Sequence, residues 1–126
     1  MSDADPLDAA DRLIRAIEAG DETAVRDVYA PDARIWHNFD QISQSVDENV
    51  ATLAWLLRRV PEPRYEIVRR DPLPGGFVQE HILRGTTRAG TELELPACLI
   101  GDVAEGRITR LAEYVDMGQA AALTEA

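Results

Sequence analysis

In the N-terminal half of the chain, apolar residues recur mostly every three or four positions; after Pro61 the period changes to two. The first pattern is that of helices with one buried face, the second that of strands with one buried face. Leu7, Ala10, Ile14 and Ile17 share a helical face with Leu13 beside them, which predicts a helix over ADPLDAADRLIRAIEAGD. Asp5 is placed to cap it, Pro6 suits its first turn, and Gly20 stops it. Asp21 then caps a shorter helix carrying Ala24, Val25 and Val28, which Pro31 ends. A strand, ARIWHN, follows. In SVDENVATLAWLLRRV, Ser45 and Glu48 make a capping box. Val46, Val50, Leu53, Leu57 and Val60 form the apolar stripe, and Pro61 closes the helix.

Four strands come next: RYEIVRR, FVQEHILRGTT, TELELPACLIGDV and RITRLAEYVDM, separated by the turns DPLPGG, RAG and AEG. Pro96 inside the third predicts an edge position or a bulge. The tail GQAAALTEA predicts a short helix. Strands joined by such short turns are antiparallel. Helices gathered ahead of a meander predict an α+β layer, with the helices on one face of a curved sheet and room for a cavity beneath the long helix.

The 126 residues fit one domain, taken as 1–126. A formal charge of −10, from 23 acidic and 13 basic residues, argues against nucleic acid and anionic membrane as partners. The single cysteine, Cys98, excludes an internal disulfide and a cysteine cluster for zinc. A reducing cytoplasm is the expected setting. The N-terminal stretch has no positive region ahead of an unbroken apolar run, so no signal peptide is expected, and no segment is apolar enough to span a membrane. No pair of histidines or carboxylates stands at metal-ligand spacing, and PGG is a turn rather than a phosphate cradle, so no cofactor is expected.

Alternation along strands sorts the polar candidates. Trp36 and Asn38 share a face, with Ile35 and His37 opposite; His81 shares one with Gln79 and Leu83; Glu113 shares one with Leu111 and Val115. A carboxyl among large apolar neighbours is desolvated, which raises its pKa toward the range a general acid or base requires. A histidine beside it orients the carboxyl, carries the proton or polarises a carbonyl. Asn38 can donate to a developing oxyanion, and Trp36 can wall a ring-shaped ligand. Structural readings stand beside these: a His81–Glu113 hydrogen bond that only satisfies the core, Trp36 as plain core, Asn38 capping a turn. His37, on the opposite face, is expected at the surface or at a dimer contact. Asp40 reads as a turn residue, Asp116 as a cap for the terminal helix, and Cys98 as a small buried hydrophobe.

The element order, together with AIEAGDETAVRDVYAPDARIWHNFD and GRITRLAEYVDMG, resembles the SnoaL-like branch of the nuclear transport factor two-like superfamily, from about Leu7 to Met117. That superfamily also holds ketosteroid isomerase, scytalone dehydratase and limonene epoxide hydrolase. The resemblance implies a cone-shaped α+β fold, a curved mixed or antiparallel sheet wrapped around the N-terminal helices in a cystatin-like α+β barrel. It also implies a deep apolar pocket and a homodimer paired through the outer sheet face. Matched to limonene epoxide hydrolase, Trp36 and Asn38 stand where that enzyme has Tyr and Asn. His81 and Leu83 replace its Arg and one Asp, and Glu113 matches its other Asp. Those replacements speak against epoxide hydrolysis. The ketosteroid isomerase base falls at about His37. SnoaL-like cyclases use an Asp base with His and Asn near it, and Glu113, His81 and Asn38 form a related set.

The expected function is a cofactor-independent isomerase, cyclase or dehydratase acting on a small apolar carbonyl- or hydroxyl-bearing molecule. Glu113, His81 and Asn38 are its expected catalytic residues, with Trp36, Leu83, Leu111 and Cys98 lining the substrate. The alternative is a non-catalytic ligand-binding or dimerisation module of the same fold, favoured by Leu83 in place of a second acid.

Overall fold

The structure is a computed structural model and describes residues 4–124, with side chains from Pro6 to Leu123. Its elements are α1 (Ala4–Ala19), α2 (Glu22–Val28), β1 (Tyr29–His37), β2 (Ser43–Gln44), α3 (Val46–Arg59), β3 (Arg64–Leu73), β4 (Gly76–Thr86), β5 (Glu92–Ala104) and β6 (Arg107–Val115). A 3₁₀ turn, η1, covers Ala121–Thr124. The helix signals act as read. Asp21 accepts from the Ala24 amide, and Ser45 and Glu48 form both bonds of the capping box. Gly20 takes φ +67 where α1 ends. The cap expected of Asp5 lies outside the described side chains; the helix has begun by Ala4.

All the strands join one sheet in the order β2-β1-β6-β5-β4-β3. The β3–β6 meander is antiparallel, as expected, and β1 adds to β6 in parallel, so the sheet is mixed. It curves into a cone and does not close: β2 and β3 remain its edges. At the β3 edge, Glu18 of α1 accepts from the Tyr65 amide, covering one of the free N–H groups such an edge exposes. Pro96 sits in β5 just beyond the last pair with β6, Ala97↔Val115. On that side β5 is locally an edge and has no ladder bond to lose.

Two stretches differ from the reading of the sequence. β1 begins at Tyr29 rather than Ala33, but its register with β6 slips between Tyr29 and Arg34, and the excursion holds Pro31. The buried stripe of α3 runs through Asn49, Val50, Leu56 and Val60, leaving Val46 and Leu57 at its margins. A polar Asn49 was not expected inside. It is buried because the Tyr29 hydroxyl donates to it and its amide donates to Gln44.

α1 packs its Ala9, Ala10, Leu13 and Ile17 face into the concave side of the sheet, above Phe77, Leu99, Ile108 and Leu111. A second cluster, around Leu56, Val60, Leu83 and Leu95, is closed by Ala120 and Leu123 of the tail. Phe77 is fully buried because Gly101, opposite it on β5, has no side chain. A Cβ at Gly101 would stand 2.4 Å from the Phe77 ring. Gly101→Ala is therefore expected to cost about 1–3 kcal/mol by overpacking. Thermal melts check this, with Gly101→Ala combined with Phe77→Leu recovering part of the loss.

Candidate active site

The register lines up inner-face residues in rows across the sheet. Gln79, Leu99, Glu113 and His37 make one row across β4, β5, β6 and β1. His81, Ala97 and Val115 make the next, towards the ends of β1 and β6. Phe77, Gly101, Leu111 and Ile35 make the row behind, which is the floor. Between these rows and the helices lies a cavity of about 160 Å³. Its walls are mostly aliphatic, from Leu13 and Ile17 of α1, Leu53 and Leu56 of α3, and Leu83 and Leu111 of the sheet. Beyond the strand ends the lining passes to Phe39 and Met117, which are also exposed to solvent, so the cavity opens there.

Polar groups on this wall are few. His37 Nε2 stands 3.2 Å from Glu113 Oε1, directly across the parallel β1–β6 ladder. His37 is buried, while the Glu113 side chain keeps 30% of its exposure and remains reachable from the cavity. His81 is buried deeper, and its Nδ1 lies 2.8 Å from Gln79 Nε2. The Tyr65 ring meets the His81 ring edge-on, with centroids 5.0 Å apart. Tyr29, Asn49 and Thr52 complete the polar lining. Among the described residues, no three of His, Cys, Asp and Glu gather to hold a metal ion.

The two imidazoles sit in opposite fields. Burial works against charge on His37, but the hydrogen bond it donates to Glu113 and the negative charges of Glu113 and Asp40 outweigh it and lift its pKa above the ordinary value. At His81, burial dominates and lowers the pKa; the positive charge of Arg70 adds to this, and Glu113 opposes it. Burial also raises the Tyr29 and Tyr65 phenols, so both remain protonated.

Of the residues chosen from sequence, Glu113, His81, Leu83 and Leu111 line the cavity. The other three do not, and the partner of Glu113 is His37, not His81. Asn38 points to the convex side, where its Oδ1 accepts from the Val115 amide at 2.8 Å, while its backbone N–H donates to the Glu113 carbonyl. Trp36 packs edge-on against Tyr114 on that same side. Cys98 is half-buried in an open groove of the convex face, its thiol pKa pushed up by burial and by Glu80. All of these corrections to β1 come from one phase error. Ala33, Ile35 and His37 point inward, and Arg34, Trp36 and Asn38 point outward. The charged, exposed Arg34, two residues before Trp36, was the available signal. Asp40 does hold its turn, accepting from the Ile42 amide, and Asp116 accepts from the Gly118 amide in the turn after β6.

An open mixed sheet wrapped on helices, with a polar cluster inside an apolar cone, defines a ketosteroid isomerase-like α+β fold. The chain belongs to the SnoaL-like domain family, whose profile matches residues 10–111. Its fold is shared by IdmH of Streptomyces antibioticus, a candidate polyketide cyclase, at 18% identity and a TM-score of 0.84 over 94% of this chain and 96% of that one. An NTF2-like protein of unknown function from Burkholderia pseudomallei is similar over the full length of both chains, at 19% identity and a TM-score of 0.83. An LEH-like epoxide hydrolase of M. tuberculosis is similar at 17% identity and a TM-score of 0.78, over 95% of this chain and 90% of that one. No curated protein shows significant sequence similarity.

The two histidines supply a check on these electrostatics. In an NMR pH series, His37 is expected to titrate above and His81 below the ordinary value of about 6.5. Glu113→Gln should lower both, since the Glu113 charge raises each. The stability effects have opposite signs. The His37 contribution is complete below about pH 6.5 and is lost as pH rises through its folded pKa. The His81 contribution is complete above about pH 6.5 and is lost as pH falls through its folded pKa. Relative to wild type, melts of His37→Gln should lose the alkaline-side decline, and melts of His81→Gln the acid-side decline.

Proposed function

We propose that this protein is an enzyme of acid/base type, an isomerase, cyclase or dehydratase acting on a small, mostly apolar molecule. The observation that carries this reading is the His37–Glu113 pair, set in the wall of an otherwise apolar cavity with one face of the carboxylate open to it. Glu113 is the group that takes a proton from the substrate. His37 holds its orientation and stabilises its charge, and His81 stands diagonally across β5 on the other side of the ligand space. Such a proton transfer contributes about 10²–10⁴-fold to rate. A cavity of about 150 Å³ admits benzene, so the cavity as it stands suits a ligand of about one ring. Larger substrates require movement of Phe39, Met117 or the tail.

The SnoaL-like family and the likeness to a candidate polyketide cyclase support small-molecule chemistry in this hollow. His81 and Leu83, where the limonene epoxide hydrolase pattern has Arg and Asp, favour proton transfer over epoxide opening. The same Leu83 favours the second reading, a binding module without turnover, because it leaves an apolar wall where a second acid would stand. Pairing of two copies through the convex face, where Trp36, Tyr114 and Met117 retain exposure, belongs to this proposal.

Glu113→Gln keeps the shape and removes the proton acceptor. With a substrate found by screening ring-sized ketones, enols and alcohols, it is expected to lower kcat about 10²-fold or more while leaving ligand affinity within a few-fold. Undiminished turnover removes Glu113 from the mechanism, and ligand binding without turnover of any screened compound favours the binding module. A monomeric mass at micromolar concentration by light scattering contradicts the pairing.

A further inference from the structure

The inner wall carries one charged side chain that the proposed mechanism does not use. β3 has a bulge: Ile67 pairs with His81 and Arg69 with Glu80, leaving Val68 as the extra residue. The bulge shifts the alternation by one. Tyr65 points inward before it, and Arg70, five residues later, faces inward after it, opposite Gln79. Without the bulge Arg69 would occupy that place. In the structure Arg69 pairs with Asp71 at the surface.

Arg70 Nε donates to Gln79 Oε1 at 2.8 Å, and Arg70 Nη1 reaches Asp11 Oδ1 of α1 at 3.3 Å. A guanidinium only donates, so the oxygen of the Gln79 carboxamide must face Arg70. The amide nitrogen then faces His81, 2.8 Å from Nδ1, and it too only donates. Nδ1 is therefore the acceptor, and the ring proton of a neutral His81 sits on Nε2. That nitrogen has no partner among the described residues, and the ring lines the cavity.

We infer that Asp11, Arg70 and Gln79 form a relay that locks His81 as the Nε2–H tautomer, a hydrogen-bond donor to the reacting oxygen of an enolisable ketone. The substrate class rests on the reading of Glu113 as base; the relay itself does not. In the step this implies, the Glu113 carboxylate takes the proton from the carbon next to the carbonyl. The C–H pair becomes the enolate double bond, and the carbonyl pair moves to oxygen, which His81 Nε2–H bonds without giving up its proton. Return of the proton to the same or a conjugated carbon completes exchange or isomerisation, with no oxidant or reductant needed. The charged and titratable groups around His81 are Arg70 and Tyr65 of β3, Glu113 of β6, His37 of β1 and, through Arg70, Asp11 of α1.

Nitrogen-15 NMR of the histidine-labelled protein tests the relay without a ligand. His81 is expected with hydrogen on Nε2 and a lone pair on Nδ1 at about pH 8, above the ordinary histidine value, where the ring is neutral. Gln79→Glu replaces the donor with an acceptor and should move the proton to Nδ1 or make the ring cationic. Arg70→Met frees the carboxamide to turn and should give a mixture of tautomers. An Nδ1–H tautomer in the wild type, or no change in Gln79→Glu, overturns the relay. The substrate class is tested separately by hydrogen–deuterium exchange at the α-carbon of cyclohexanone and acetophenone in D₂O. Catalysed exchange, reduced about 10²-fold in His81→Leu as for loss of one oxyanion donor, supports it. No exchange above buffer with either ketone overturns it. Exchange unaffected by Glu113→Gln removes the base assignment and leaves the relay standing.

Discussion

Ionisable groups placed inside an apolar hollow must be solvated by the protein itself, and the arrangement of the inner sheet face follows from that requirement. Glu113 is satisfied by His37, the His81 Nδ1 by Gln79, and the Tyr29 hydroxyl by Asn49. Each pairing depends on register. His37 meets Glu113 only because β1 joins β6 in parallel at that offset, and Gln79 meets Arg70 only because β3 is bulged at Val68. A slip of one residue in the β1–β6 ladder would turn His37 to the convex face and leave Glu113 without its partner. The apolar contacts around them fix that register: Phe77 against Gly101 at the floor, and α1 laid across β4, β5 and β6.

The cavity is the space these constraints leave over. Its floor is the Ile35–Leu111 pair, in one row with the fully buried Phe77, whereas its open end is made of the loop after β1 and the residues after β6. Chemistry and access are thus divided along the same strands. Groups at mid-depth are held by ladder bonds, and groups at the rim are held by turns such as those of Asp40 and Asp116. The rim is where loop variation among proteins of this fold can alter what enters without disturbing the row that acts on it.

Local signals gave the elements, and distant pairings withheld the site. The capping box at Ser45 and Glu48, the Gly20 stop and the two-residue alternation after Pro61 depend on neighbours a few positions apart, so they are legible in one sequence. The phase of β1 is legible too, in the charged Arg34, although the chemistry of Trp36 and Asn38 points the other way. The likeness to ketosteroid isomerase placed that enzyme's base at about His37, and the structure puts His37 on the cavity wall. The His37–Glu113 contact joins residues 76 positions apart through a parallel strand pair that no turn announces. The Val68 bulge, which decides whether Arg69 or Arg70 faces inward, has no residue pattern of its own. Asn49 was hidden for a related reason: a polar residue in a helix stripe reads as surface until its hydrogen-bond partner on another element is known.

Asn38 touches nothing in the cavity, but it ties the end of the strand that carries His37 to the end of the strand that carries Glu113. It is a splint on the back of the wall. Genetic screens scored by growth or product alone would rank its loss with loss of the working residues, though the injury is mechanical. Aspartate at this position can still receive the Val115 amide where leucine cannot, so the spectrum of tolerated replacements, rather than the severity of any one, separates a brace from a reagent.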